Sequence, residues 1–595
     1  MRLRLISLTL AAVAAVAAGA PSMGADYDLV IVGATPGGIM TAIEAARMGK
    51  TSVILERTGH IGGLPANGLG ATDIATRGAT TGLFSEFTGA VRKYYADTYG
   101  ENSQQVRDCS DGFHFEPSVA EKIFGDMIAS QGNRIDVRTM RQFNFTDDDI
   151  AMTANGRRIG SIKVVNRLNG EEEHYSGRIF IDATYEGDLG AAARVPYRIG
   201  REAAWEFDEP GAGRTYEYWK STPAEGSTGQ ADNAVQAYNY RLCLTRDTAQ
   251  LVPFPRPERY DRSEYESLAE DVWTGRHTWK AMRDVTPEMM ERNRQHLLSG
   301  GERTIIPWDS WGIEKLVTIN TEPNGKTDAN NQHAAFISTD LPEENWPWPT
   351  ASWEWRDRFA RRLRDYTLGL FWFAANDSTL PPQFRKEIQR WGLSAQEYRD
   401  NGNFPRQVYV REGRRFEGMY FFTAKDALPV TEGGRPPVHA TSITASHYAL
   451  DSHAARKREP GRAHLDGFIS YPTAVYTVPY GVIVPKEVEN LLLPVPVSGS
   501  HIGFSTLRME PCWMALGQAA GAAAAIAIDR GVTVQAVPIE ALQQRLLDEK
   551  ATLIYFNDMR PGDKGFEQAQ KLGLQGKIPG WSAHKTFFEE SLHRK

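Results

Sequence analysis

The stretch "VIVGATPGGIMTAIEAA", Val30 to Ala46, decides how this chain is read. Val30 to Val32 close an apolar strand, and Gly33 opens a turn. Pro36 starts a helix whose inner face carries Ile39, Met40, Ile43 and Ala46, and Gly49 stops it. Thr51 to Leu55 is the next strand, so the segment is a compact β-α-β unit. The glycines fit the G-x-G-x-x-G phosphate loop at Gly33 and Gly38 but not at Thr35. A β-branched residue resists positive φ, so Thr35 is expected in ordinary extended backbone, with its hydroxyl free for a phosphate oxygen. Pro36 lacks an N–H that a first helical turn does not need. Gly37 and Gly38 then offer N–H groups at the positive end of the helix. Glu56 closes the second strand, 23 residues after Gly33, where an acid accepts hydrogen bonds from a ribose. Loop and acid together predict a dinucleotide.

At 595 residues the chain exceeds what one simple core holds, so two or more domains are expected. A net charge of −7 and the lack of any dense Lys/Arg run argue against a nucleic-acid partner. Arg2 and Arg4, the apolar run Leu5 to Ala18 and small residues up to Ala25 read as a secretory signal, too short to be read first as a membrane span. Cuts after Ala20, after Ser22 or after Ala25 compete, and an uncleaved anchor is the rival reading. No later stretch is expected to span a membrane; Ala519 to Ile528 is short and alanine-rich. Three cysteines, Cys109, Cys243 and Cys512, allow one bridge at most, and no Cys/His cluster predicts a metal site.

A second glycine loop follows the β-α-β unit, "GHIGGLPANGLGATD", Gly59 to Asp73. A helix is expected near 117–131, and strands near 135–137, 160–168 and 178–184. Between about Gly200 and Ser470 the chain turns rich in aromatic residues, Arg and Pro, and ten of its fourteen tryptophans lie between Trp273 and Trp391. These are expected mainly in packing. Rossmann-like character returns with the strand Asn490–Pro496 and the helix Met514–Ile528.

The segments "VIVGATPGGI", "GGLPANGLGATD", "FHFEPSVAEKIF", "FIDATYEGDL", "QAYNYRLCLT", "KTDANNQHAAFISTDL", "QVYVREGRRFEG" and "LPVPVSGSHIGFSTLRMEPCWMALGQAAG" are spread over nearly all of the mature chain. On them the sequence resembles the FAD-dependent oxidoreductases of glutathione-reductase-like fold, a family with secreted bacterial members, some loosely labelled xanthan lyase. The resemblance implies an α/β flavoprotein of two domains, a discontinuous Rossmann-type FAD domain and a mixed α+β substrate domain. The boundaries would be 1–25 signal peptide, 26–200 and 471–530 FAD domain, 201–470 substrate domain and 531–595 a C-terminal helical segment. It further implies that Gly33, Thr35, Pro36, Gly37, Gly38, Glu56 and Arg57 hold the ADP half of FAD. Gly62, Gly63 and Asn67 would run beneath pyrophosphate and isoalloxazine. Asp182, Ala183, Gly187 and Asp188 would lie near the cofactor, and Leu507, Arg508 and Met509 would lead into a helix aimed at the flavin.

A flavin supplies hydride chemistry, and the protein supplies a base, orientation and charge. His501, in a loop just before that helix, is the first candidate for base, against a histidine merely bonded to backbone. His447 and Tyr480 come next. Arg411 reads as an ion-pair partner of Glu412, and Arg414 or Arg415 as a clamp for a carboxylate. "KTDANN", Lys326 to Asn331, reads as a loop held by its own Asx bonds. No second glycine motif for a nicotinamide is present, so the electrons would come from an extracellular organic or saccharide substrate in a secreted or periplasmic setting. A redox-neutral polysaccharide lyase and a non-catalytic binding protein are the alternatives.

Overall fold

The computed structural model describes residues 26–218, 222–431 and 434–578. The secretory segment and the last residues of the expected C-terminal segment lie outside them. The β-α-β unit forms as its pattern dictates: strand β1 (Tyr27–Val32), helix α1 (Pro36–Arg47) and strand β2 (Ser52–Leu55). β1 pairs in parallel with β2 on one side and with Gly177 to Asp182 on the other. Ile135–Arg138 extends the parallel sheet beyond β2, and Leu491–Leu492 extends it beyond Phe180 and Ile181. The chain thus leaves β1 in one direction and resumes on its other side, and the crevice at such a reversal is where α/β sheets bind ligands. The strand Glu172–Asp182 serves two ladders. Its second half is parallel to β1, and its first half pairs antiparallel with Ile159–Asn166.

α1 differs from the expectation of one inner face, because every residue from Pro36 to Ala46 is buried. Its second partner is the helix Glu510–Arg530, which starts four residues before the expected Met514. Thr41 Oγ1 donates to Gly517 O at 3.0 Å, and a Cβ on Gly517 or Gly521 would run into the α1 backbone. The run of Ala and Gly in the later helix lets the two backbones approach. That helix is long and apolar enough to cross a membrane by composition, contrary to the sequence reading, and 94% of its apolar window is buried inside the protein.

The second sheet is antiparallel, in the order Leu251–Val252, Gly392–Ser394, Leu242–Thr245, Lys326–Asn331 and Val317–Glu322. "KTDANN" is therefore a central strand and not a self-bonded loop. Its charged side chains are accommodated because each finds a counter-charge: Lys326 pairs with Glu116 and Glu397 at 2.6 Å, and Asp328 with Arg241. The expected strand Asn490–Pro496 shrinks to two residues. One apolar cluster joins the two sheets through residues such as Ile31, Leu244, Val317 and Leu492. Cys109, Cys243 and Cys512 are buried and unbridged.

Candidate functional site

Gly33 sits at φ +100°, and a Cβ there would stand 2.8 Å from the Ala183 carbonyl oxygen, so only glycine makes this turn. Thr35 is extended, at φ −68° and ψ 164°, as β-branching requires. Its hydroxyl is not left for a phosphate. Thr35 Oγ1 donates to Ala183 O at 2.7 Å and accepts from Gly38 N at 3.3 Å, so it caps α1 and ties the loop to the neighbouring strand. Glu56 does a related job. Its Oε2 accepts from Ala34 N at 2.9 Å, and its Oε1 accepts from Thr58 N at 2.8 Å and Thr58 Oγ1 at 2.9 Å. A carboxylate offers about four lone-pair sites, so one on Oε2 stays open to a ribose hydroxyl. Burial raises the Glu56 pKa against the pull of those N–H donors.

These residues line a cleft of about 120 Å³, walled further by Arg57, Tyr185, Asp188, Trp353 and Gln407. Arg57 lies 4.1 Å over the Trp353 ring and is held by Asp357 at 2.7 Å, which fixes the far wall. Gly62 N donates to Ala34 O at 2.8 Å, so the second glycine loop is stitched to the first. Gly63 packs against the Tyr185 hydroxyl, which accepts from Leu64 N at 3.1 Å and donates to Glu510 Oε1 at 2.5 Å. Asn67 bridges Gly63 O at 2.8 Å and Arg406 N at 3.2 Å.

Not every expected cofactor residue faces the cleft. Asp182 is fully buried and spends its oxygens on Thr184 and on Gly190 N at 2.9 Å; burial lifts its pKa to about 6. Ala183 offers its carbonyl to Thr35. Gly187, at φ +74°, caps a short helix against Phe416. Asp188 does reach the cleft wall, but it is held between two buried arginines, Arg356 at 2.6 Å and Arg414 at 2.6 Å. Leu507 is fully buried, and Met509 caps the helix Glu510–Arg530.

Around that helix start, Arg508 Nε, Glu510 Oε2 and Trp513 Nε1 are buried without a protein partner. Natural structures rarely leave such atoms unpaired. With the glycine cradle and the open Glu56 lone pair, they fit a bound polar cofactor. Burial raises the Glu510 pKa from 4.5 to about 8. The folded protein therefore keeps this proton between pH 4.5 and 8 while the unfolded chain gives it up, and stability falls as pH rises through that window. Glu510→Gln removes the titration and keeps an acceptor for Tyr185. The gain in Tm of the variant over the parent is expected to grow between pH 5 and pH 8.5, and a gap that stays constant across thermal melts contradicts it.

The catalytic candidates separate. His501 is not in a loop but opens the helix His501–Leu507, capped by Ser500. It is buried, with Nδ1 at 2.8 Å from Glu412 Oε2 and Nε2 at 3.0 Å from Ser452 Oγ. Burial opposes ionisation of Glu412, yet His501 and Arg415 hold its pKa down to about 2. Both His501 ring nitrogens are thus engaged inside the protein. His447 bonds Thr76 Oγ1 at 2.7 Å, and burial lowers its pKa to about 4. Tyr480 donates to Val534 O at 2.9 Å, away from the cleft. Arg411 pairs with Asp340 at 2.9 Å and not with Glu412, and Arg414 is consumed by Asp188.

The structure also brings together a cluster that the sequence reading did not assemble. In the extended segment 407–411, Val408 and Val410 line the cleft and Tyr409 turns the other way. Its hydroxyl accepts from Arg508 Nη1 at 2.9 Å, and Arg508 Nη2 reaches Asp451 Oδ2 at 2.9 Å. Beside them the buried pair Arg241–Asp328 faces Asp73, with Arg241 at 3.8 Å and the Tyr448 hydroxyl at 3.4 Å. The Asp73 side chain keeps 19% exposure, unlike Arg241 and Asp328. Burial first, then Asp328 and Asp451, raises its pKa against Arg241 and Arg508. Asp73 ends the "GLGATD" loop, the one signal that could have marked it. Nothing local joins it to residues near 241, 409, 448 and 508.

Among solved structures, the crystal structure of AlpK is 14% identical over 37% of this chain and 42% of its own, with a TM-score of 0.22. THI4 of Thermovibrio ammonificans is 14% identical over 30% of this chain and 66% of its own, with a TM-score of 0.20. A glycerol-3-phosphate dehydrogenase of Bacillus halodurans complexed with FAD is 10% identical over 29% of this chain and 37% of its own, with a TM-score of 0.19. The chain thus spans less than two thirds of the length of each of these matches. No curated protein matches it. The family model for FAD dependent oxidoreductases matches residues 28–546, well over half of the sequence. The chain therefore belongs to the FAD dependent oxidoreductases, an enzyme with FAD as its cofactor.

Proposed function

We propose that this enzyme removes two electrons from an extracellular organic molecule, carbohydrate-derived, and passes them to oxygen or a redox carrier. When bound, FAD supplies the redox chemistry by accepting hydride at N5. The chain's residues handle the proton and the charge. As the substrate C–H bond gives up hydride, the neighbouring hydroxyl or amine must lose a proton, and Asp73 receives it on a carboxylate oxygen. Its raised pKa brings it closer to working pH than a free aspartate, which suits a general base. Arg241 and Arg508 offset negative charge that builds as the proton leaves, and Tyr409 and Tyr448 hold the cluster in register.

The observation that carries this reading is a partly exposed carboxylate set among buried arginines and tyrosines at the end of the second glycine loop. Export rests on Arg2, Arg4 and the apolar run to Ala18. Reduced nicotinamides are scarce outside the cytoplasm, which leaves the substrate as electron donor. The test is anaerobic mixing of the yellow protein with a panel of sugars, polyols and amines. Bleaching by one member, reversed by air or an added acceptor, is the expected result. Turnover to a product with a new double bond and no bleaching would instead establish the lyase reading.

A further inference from the structure

One wall of the cofactor cleft does not come from the β-α-β unit. The helix Trp353–Asn376, from the aromatic middle of the chain, begins in that wall, and Ser352 Oγ caps it by accepting from Trp355 N at 3.4 Å. Trp353 and Asp357 are about one helical turn apart and share a face. Both line the same cleft as Gly33 and Glu56. Trp353 Nε1 donates to the carbonyl of Phe143, another cleft residue, at 2.9 Å, so the indole is anchored at its edge.

Arg57 is the side chain this face holds. It follows Glu56 directly, yet its carboxylate partner is 300 residues away: Nη2 donates to Asp357 Oδ1 at 2.9 Å and to Oδ2 at 2.7 Å. Nε donates to Gln142 Oε1 at 2.8 Å, and the guanidinium lies 4.1 Å over the Trp353 ring. A guanidinium is a rigid plane of five N–H donors, so these three contacts fix its orientation as well as its place. Trp353 takes one face. Nη1 bonds none of the described residues, so Nη1 and the second face are what Arg57 has left for a ligand in the cleft it lines.

The covalent order of a dinucleotide says which part of it arrives there. Its phosphates belong at the turn that starts with Gly33, and its ribose at the open lone pair of Glu56. The base is bonded to the ribose away from the phosphates, and Arg57 is the next residue of the wall after Glu56. A purine brings a flat π-face and ring nitrogens that accept hydrogen bonds. A guanidinium held flat offers a surface to stack on and an N–H to donate.

We propose that Trp353 and Asp357 hold Arg57 as the platform for the adenine of FAD, so that the aromatic middle of the chain locks the cofactor onto the β-α-β unit. The proposal rests on FAD as the cofactor and is independent of the substrate reading above. It gives one of the tryptophans expected mainly in packing a part in cofactor retention.

The test titrates FAD and ADP into the full-length protein stripped of its cofactor, by calorimetry and by tryptophan fluorescence. ADP is the second probe because it carries adenine, ribose and pyrophosphate but no flavin. Trp353→Leu is expected to weaken both ligands about tenfold, through loss of the cation–π contact and of the platform it holds. Asp357→Asn, at a side chain 39% exposed, is expected to weaken both about threefold. Its urea midpoint without cofactor should match the parent's, which a general loss of structure would not allow. Arg57→Lys keeps the charge but not the plane, and is expected to lose about tenfold for both ligands. Trp308→Ala, at a tryptophan 78% exposed and outside the cleft, should bind both as the parent does. Three results overturn the proposal: a parent protein that does not bind ADP, FAD weakened in the variants while ADP binds as before, or Asp357→Asn and Arg57→Lys that both bind like the parent. Where Trp353→Leu does not accumulate as folded protein, the last two variants decide the outcome.

Discussion

Asp73→Asn is expected to leave the protein yellow and folded while slowing substrate-driven bleaching by about 10²- to 10⁴-fold, the usual contribution of a general base. The substitution keeps the size of the side chain and an acceptor for the Tyr448 hydroxyl, now 3.4 Å away. It removes the site that takes the proton. The pH dependence separates this role from a structural one. A base acts when deprotonated, so bleaching by the parent protein should rise with pH through the Asp73 pKa, which burial and Asp328 raise above the ordinary aspartate value. The variant should lose that rise. Rapid-mixing anaerobic reduction between pH 4 and 9 measures both, and a variant with the parent's rate and profile would falsify the assignment.

Asp188→Ala is expected to cost about 3–5 kcal/mol of stability, the usual penalty for breaking a buried pair from one side. Asp188 faces Arg356 through two bonds, at 2.6 and 2.9 Å, and Arg414 at 2.6 Å. All three side chains are almost fully buried. Removing the carboxylate strands two guanidinium groups that water cannot reach. Backbone carbonyls of Trp348 and Glu186 hold part of them in place but do not neutralise the charge. Arg356→Met should be milder, because Asp188 then still pairs with Arg414. Urea unfolding checks the order: the Asp188→Ala midpoint should fall furthest, or the variant should not accumulate as soluble protein. An unchanged midpoint with lost flavin would make Asp188 a cofactor ligand instead.

Much of the cofactor cleft was legible because its determinants are local. Gly33 must turn at positive φ, Pro36 can only start a helix, and Glu56 falls where the second strand ends, so a few dozen residues place all three. The reading failed wherever a side chain's partner comes from far along the chain. Thr35 looked free for a phosphate until strand 172–182 brought Ala183 O to its hydroxyl. "KTDANN" looked like a loop because a run of polar residues is costly in a sheet, and Arg241, Glu116 and Glu397 remove that cost. His501 looked poised beside the flavin, but Glu412 and Ser452 occupy both ring nitrogens.

By itself, then, the sequence determined the β-α-β unit, its glycine turn and the small-residue helix that packs on it. Backbone conformation and residue size act within a turn or two of the chain. Only the tertiary structure decided which charges are paired off in the interior and which stay partly exposed. Asp73, Arg241, Tyr409, Tyr448 and Arg508 come from five separate segments. A buried charge takes its role from the counter-charge beside it, which no local pattern records.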